Sequence, residues 1–185
     1  MTWVPLVRVL TAYSVLLAGD VKAEFAQVSF SSLCEEIKES LSPMAKANKL
    51  ALEVNNQIGN GTAWTDARKL RRVVLNLVSN AIEYRQPDKS DAFVRLDFEL
   101  ADDDRWQLTL ADNGVGIAKE DLERVFEEFQ RGLPSEKIQS TGLGLAITKR
   151  LVLLLKGKIL ISSEVGGTYF VLRFSRNLPG SPAST

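Results

Sequence analysis

Apolar positions along this chain recur at two spacings, one of three to four residues and one of two, and the changes between them mark out its elements. Trp3, Leu6, Leu10, Tyr13 and Leu17 follow a helical, heptad-like seam, with Pro5 tolerable in a first turn and Gly19-Asp20 ending it. After an extended piece from Phe25 to Phe30, Ser32 and Glu35 form a Ser-x-x-Glu capping box. The helix behind it is expected to run to about Ala47, with Leu33, Ile37, Leu41 and Met44 on one face. Leu50–Val54 reads as a strand and residues 55–62 as a Gly/Asn-rich loop. Across Asp66–Tyr84, Leu70, Val73, Val74, Leu77, Ala81 and Tyr84 share one arc at about 100° per residue, which predicts a long amphipathic helix. Phe93–Leu100 and Trp106–Ala111 read as strands joined at Asp102-Asp103-Asp104. A glycine-rich turn, Asp112–Gly116, leads to a short predicted helix at Lys119–Phe126 and then to a polar stretch without period, residues 127–140. A helix from about Gly144 to Leu155 precedes a hairpin of Lys158–Ser163 and Thr168–Phe174 across Gly166-Gly167. This order predicts a two-layer α/β sandwich, a mixed sheet with helices on one face, preceded by an N-terminal helix. The expected division is 1–24, 25–176 and a Pro/Ser-rich, disordered tail at 177–185.

Composition narrows the chemistry. At 185 residues, 45% hydrophobic and 25% charged, the chain has the make-up of one soluble globular domain. Lys and Arg balance Asp and Glu at 23 each, which argues against a nucleic-acid partner. The apolar stretch of residues 3–18 is too short to span a bilayer and lacks the basic start of a signal peptide. A single cysteine, Cys34, precludes an internal disulfide and fits a reducing, cytoplasmic setting. The absence of histidine removes His-based triads and, with one cysteine, zinc sites. Carboxylates, amides, backbone groups and a borrowed cofactor are what remain.

Three places hold such groups. Asn76 and Asn80 stack one turn apart at the edge of the apolar arc of the Asp66–Tyr84 helix. Asparagine is a modest helix former, and amide oxygens suit a hard cation such as Mg²⁺ shared with phosphate. A pair of solvated asparagines is the plainer reading, and the helix alone leaves both open. Asp112-Asn113-Gly114-Val115-Gly116-Ile117 follows a strand. Its glycines let backbone approach a flat ligand, and its aspartate can accept from an exocyclic amine, although an ordinary strand-to-helix turn would use the same residues. Ser140-Thr141-Gly142-Leu143-Gly144-Leu145 opens a helix whose free N–H groups suit phosphate, or is simply a loop that glycine permits. The polar residues 127–140 between the last two have the composition of a flap over a ligand or of a surface loop.

In order and content, Asn76-Leu-Val-Ser-Asn80-Ala, Asp112-Asn-Gly-Val-Gly-Ile, Phe126-Glu-Glu-Phe129 and Thr141-Gly-Leu-Gly-Leu-Ala-Ile resemble the N, G1, F and G2 boxes of sensor histidine kinases. These belong to the GHKL superfamily with gyrase B and the MutL proteins, and the match spans roughly residues 30 to 175. The resemblance implies a Bergerat fold that binds ATP and Mg²⁺ and takes part in two-component signal transduction. On that pattern Asn80 holds the metal with Asn76 assisting, Asp112 accepts the adenine amino group beside Ile117, and Gly114 and Gly116 make room for the base. Thr141, Gly142, Leu143 and Gly144 face the phosphates, Arg131 contacts phosphate, and Tyr84 borders the nucleotide. Hydrolytic relatives and anti-sigma serine kinases carry a glutamate at position 76, so Asn76 points to phosphotransfer. Residues 10–19 are similar to the end of a dimerisation helix, so the chain reads as the catalytic end of a larger kinase. The histidine it serves would lie on a dimerisation domain outside this chain. A response regulator receiver domain would be a further partner, with a possible homodimer through residues 3–17 and membrane contact only through other parts of the parent protein. The pattern is broken at Glu83, where the family usually places a lysine that Lys137 or Lys149 would have to replace. A regulatory, pseudokinase-like module is the alternative function, and a serine kinase a weaker one.

Overall fold

The computed structural model describes residues 22–86, 89–127 and 142–177. The seam of residues 3–17, Phe129, Arg131, Lys137, Thr141 and residues 178–185 lie outside the described residues. Within them, β1 (Ala26–Ser29), α1 (Phe30–Ala47), β2 (Ala51–Asn56), β3 (Thr62–Thr65), α2 (Ala67–Glu83), β4 (Phe93–Leu100) and β5 (Arg105–Asp112) come first. After them follow α3 (Gly144–Leu154), β6 (Lys158–Glu164) and β7 (Gly167–Ser175). The main sheet has the order β2-β4-β5-β7-β6, and β1 pairs with β3 in a separate two-stranded sheet. β2 and β4 run parallel, as a strand–helix–strand crossover through α2 requires, and the other neighbours are antiparallel. The predicted mixed sheet with helices on one face is the observed architecture.

The alternation in the strands decides which face is covered. Val94, Leu96 and Phe98 of β4, Trp106, Leu108 and Leu110 of β5, and Phe170, Leu172 and Phe174 of β7 are buried against the helices. The opposite face carries polar side chains at its centre, with Leu160 and Tyr169 exposed on β6 and β7: Arg173 Nε donates to Gln107 Oε1 at 3.1 Å, and Gln107 Nε2 donates to Glu99 Oε1 at 2.6 Å. At the core's centre Trp106 stacks on Phe174, ring centroids 4.6 Å apart, and meets Phe30 edge-on at 5.0 Å.

Three boundaries differ from the sequence reading. α1 starts at Phe30, not behind the Ser32–Glu35 box, because Phe30 is buried beside Trp106 and its N–H is taken by Gly61 O at 3.0 Å. β3 starts on the last residue that reads as loop and takes the stretch before Asp66 to which the sequence reading gives no element, and it exists through its pairing with β1. Residues 119–126 form successive turns, with Asp121 N–H donating to Ala118 O and Arg124 N–H to Asp121 O, rather than an α-helix. Eight residues are too few to offset helix nucleation without a packed face.

α2 has a designed start. Asp66, 2% exposed, is its N-cap and accepts from Lys69 N at 3.1 Å, Lys69 Nζ at 2.8 Å and Glu24 N at 2.9 Å. Burial alone would push this carboxyl up, but those hydrogen bonds outweigh it and hold Asp66 below the ordinary aspartate range. Val78 and Ile82 join the predicted arc, so the buried face of α2 is broader than the sequence stripe.

Candidate functional site

A cleft of about 830 Å³, counting the part open to solvent, lies between the end of α2, the loop after β5 and the start of β7. Asn80, Ala81 and Tyr84 line one side, and Asp112, Gly116 and Ile117 another. Leu145, Thr168 and Phe170 complete the interior, while Ala118, Asp121, Arg124 and Val125 form the lip.

Asp112 ends β5 and is 9% exposed. Burial raises its pKa above the ordinary carboxylate value, and hydrogen bonds from the Gly114 and Thr168 backbone N–H groups counter only part of that. The Gly114 bond to Oδ1 is 2.9 Å. Asn113 turns to structural work: its Oδ1 accepts from Phe93 N at 2.9 Å and its Nδ2 donates to Asp91 O at 2.9 Å.

The glycines of this loop serve close approach between protein segments. A Cβ on Gly114 would lie 2.6 Å from Tyr84 O, and Tyr84 O also accepts the Val115 N–H at 2.9 Å. Gly116, at φ +78°, would place a Cβ 2.2 Å from Glu164 O. The loop is thereby held between the end of α2 and the end of β6.

At the other end of the cleft, Asn80 faces the start of α3. A Cβ on Gly144 would lie 3.4 Å from Asn80 Oδ1, and Leu143, fully buried, anchors the helix start. Gly142 takes φ +66°, and the N-cap residue Leu143 makes no side-chain hydrogen bond to the first turn of α3. Asn76, one turn earlier, does not line the cleft; its Nδ2 donates to Thr148 Oγ1 at 3.4 Å, and Thr148 Oγ1 donates to Gly144 O at 2.9 Å. Asn76 therefore ties α2 to α3.

Of the predicted site residues, Asn80, Tyr84, Asp112, Gly116 and Ile117 meet around one cleft, with Gly144 against Asn80 and Gly114 directly behind. Arg131 and Thr141 lie outside the described residues. Glu83 is half-buried and does not line the cleft. Lys149 Nζ sits 5.5 Å from the Phe126 ring centroid, a cation–π arrangement. Sequence reasoning missed Thr168, Phe170 and Arg124. The period-two alternation of β7 puts Thr168 and Phe170 on the inward face, the one signal that could have found them.

The arrangement is that of a nucleotide-binding α/β sandwich: a buried acceptor, apolar walls, and an amide and a helix start at the far end. Comparison with known proteins gives the family. The profile described as "Histidine kinase-, DNA gyrase B-, and HSP90-like ATPase" matches residues 65–178, and the chain belongs to this family. Its relatives place it with the ATP-binding catalytic domains of sensor histidine kinases. The sensor histidine kinase AruS of Pseudomonas aeruginosa is 36% identical over 147 residues, 77% of this chain and 15% of that protein. The circadian input-output histidine kinase CikA of Synechococcus elongatus is 32% identical over 80% of this chain and 20% of that protein. Among solved structures, full-length ShkA in complex with AMPPNP superposes with a TM-score of 0.77 at 26% identity, over 92% of this chain and 35% of that one. The Acinetobacter baumannii histidine kinase AdeS gives 0.72 at 25%, over 92% and 77%. The chain thus spans only a minor part of the curated relatives it matches. Among the described residues no helix is long and apolar enough to cross a membrane.

Proposed function

We propose that this chain binds Mg-ATP in the cleft and delivers the γ-phosphoryl group to a histidine on a dimerisation domain. The observation that carries this reading is Asp112, a carboxylate nearly removed from water in the lining of the cleft and hydrogen-bonded by backbone N–H groups. Such a group has acceptor capacity left for an amino group on a flat base, with Ile117, Leu145 and Phe170 supplying apolar contact. Tyr84 borders the ligand, and the loop over Gly114 and Gly116 keeps Asp112 in place. Gly142, Leu143 and Gly144 present the start of α3 to the phosphates, joined by Thr141 and Arg131.

The donor set fits magnesium. Among the described residues no cluster of three or more acidic, His or Cys side chains exists to cage an ion, whereas Asn80 Oδ1 stands where α3 begins. One amide oxygen together with phosphate oxygens and water matches the habits of Mg²⁺. When bound, the ion would offset the charge on the phosphoryl oxygens. Asn76 carries an amide, which cannot take a proton from water, and this supports transfer over hydrolysis.

With no histidine in the sequence, the acceptor comes from elsewhere. Residues 1–24 would be the end of a dimerisation helix and a linker, able to pair through 3–17, and 25–176 the catalytic domain. A response regulator would be the downstream partner, as in the solved complex of ThkA with the response regulator TrrA, and the site of action the cytoplasm. The same lack of histidine, with Glu83, favours a second reading as a regulatory nucleotide-binding module. Calorimetric titration with ATP, with and without Mg²⁺, tests the first step: magnesium-dependent binding is expected, and no binding at millimolar nucleotide overturns the reading.

A further inference from the structure

β6 is an edge strand whose inward positions are Ile159, Ile161 and Ser163, so a hydroxyl stands where the pattern calls for an aliphatic side chain. Ser163 is half-buried and belongs to none of the motifs that define the cleft. Its Oγ accepts the Ile117 N–H at 2.8 Å, donates to Gly167 O at 2.8 Å and lies 3.3 Å from Thr168 Oγ1. Ile117 and Thr168 both line the cleft, from different elements.

The valence of these hydroxyls fixes their direction. A serine hydroxyl has one proton and two lone pairs. Its proton goes to Gly167 O and one lone pair receives the Ile117 N–H, so the remaining lone pair can only accept from Thr168. The Thr168 hydroxyl, 3.3 Å away, is thereby turned with its proton toward Ser163, which leaves its oxygen to accept from a ligand.

Resting on the nucleotide reading above, we propose that Ser163 is a positioning and specificity-determining residue for the nucleobase. It ties the Ile117 end of the loop to the β6–β7 turn and holds Thr168 as an acceptor. Together with Asp112 this makes a wall of acceptors, which favours a base presenting an amino group and disfavours one presenting a carbonyl at the same place.

The test compares ATP with ITP, in which an oxygen replaces the amino group and N1 gains a hydrogen, on the full chain and on Ser163→Ala and Ser163→Thr. Purine riboside triphosphate, which lacks the amino group but keeps N1 as an acceptor, is measured on the same proteins and so isolates the N1 contribution. Amide hydrogen exchange at Ile117 is followed in the nucleotide-free proteins. Ser163→Ala frees the Thr168 proton for a carbonyl, so the ATP-to-ITP affinity ratio should fall by about tenfold, and Ile117 should exchange faster. Ser163→Thr should restore both. A purely structural role would lower thermal stability while leaving the ratio alone. Native ATP binding with a ratio unchanged within about twofold in Ser163→Ala overturns this inference and spares the nucleotide reading. Failure of the native chain to bind ATP overturns both.

Discussion

Asp66 and Asp112 are both carboxylates at the ends of regular elements, 2% and 9% exposed, yet their surroundings push them in opposite directions. Asp66 has Lys69 Nζ at 2.8 Å and two backbone donors, and sits below the ordinary aspartate value. Asp112 has backbone donors and, among the described residues, no salt bridge, and burial raises it. The first is satisfied by the protein and holds the start of α2. The second is left with unmet acceptor capacity in a cleft, at a cost to the fold that a ligand would offset.

The strongest way to break this contrast is to remove the cation from Asp66. Lys69→Met should cost about 3 kcal/mol of unfolding free energy in a denaturant titration, because it strands a buried charge. Nucleotide affinity of the folded fraction should not change. Asp112→Asn should do the reverse, lowering ATP affinity by roughly 30–100-fold in calorimetry, the worth of a charge-assisted hydrogen bond. The ligand-free melting temperature of that variant should hold or rise, since a desolvated charge is gone.

Gly116→Ala tests the scaffold behind Asp112. The positive φ alone should cost about 1–2 kcal/mol, and the clash with the Glu164 carbonyl adds to it, read as a lower melting temperature. Acidity sharpens the contrast further. The contribution of Asp66, its folded pKa lowered, is present above the ordinary value of 3.8 and lost as pH falls through the lower folded value. Asp112 is raised, so the folded state holds its proton more tightly; stability from this group is present below 3.8 and lost as pH rises through the folded value. ATP affinity, which needs the carboxylate, should therefore fall on acidification at a higher pH than an ordinary aspartate would give, and Asp112→Asn should abolish that dependence. The smallest effect belongs to Glu83, which does not line the cleft and reaches a ligand through its field. Glu83→Lys should raise ATP affinity about threefold and leave adenosine affinity unchanged at moderate salt.

What the sequence disclosed follows the range of the forces involved. The span Asp66–Tyr84 was legible because a long apolar arc is a local signal, and Asp112–Ile117 because glycine at fixed spacing constrains backbone. β3 was not legible: four residues containing a tryptophan become a strand only when β1 lies beside them. The start of α1 was misread because a capping box is visible in sequence, while the burial of Phe30 under Trp106 is not. Thr168 and Ser163 escaped for the same reason, since their roles arise from a hairpin brought against a loop some 46 residues away in sequence. Asn76 shows the converse: its pairing with Asn80 was legible, but its contact with Thr148, 72 residues on, was not.

The aromatic cluster at the centre of the sheet has a practical use. Trp106 has no exposed surface and is enclosed by Phe30, Phe98 and Phe174, on a side of the molecule that contributes nothing to the cleft lining. Its fluorescence is therefore a built-in optical gauge of core integrity. Emission from this indole should move to longer wavelength when the domain unfolds and stay fixed when the cleft fills, so with Trp3 and Trp64 replaced by phenylalanine it reports global melting without interference from ligand occupancy.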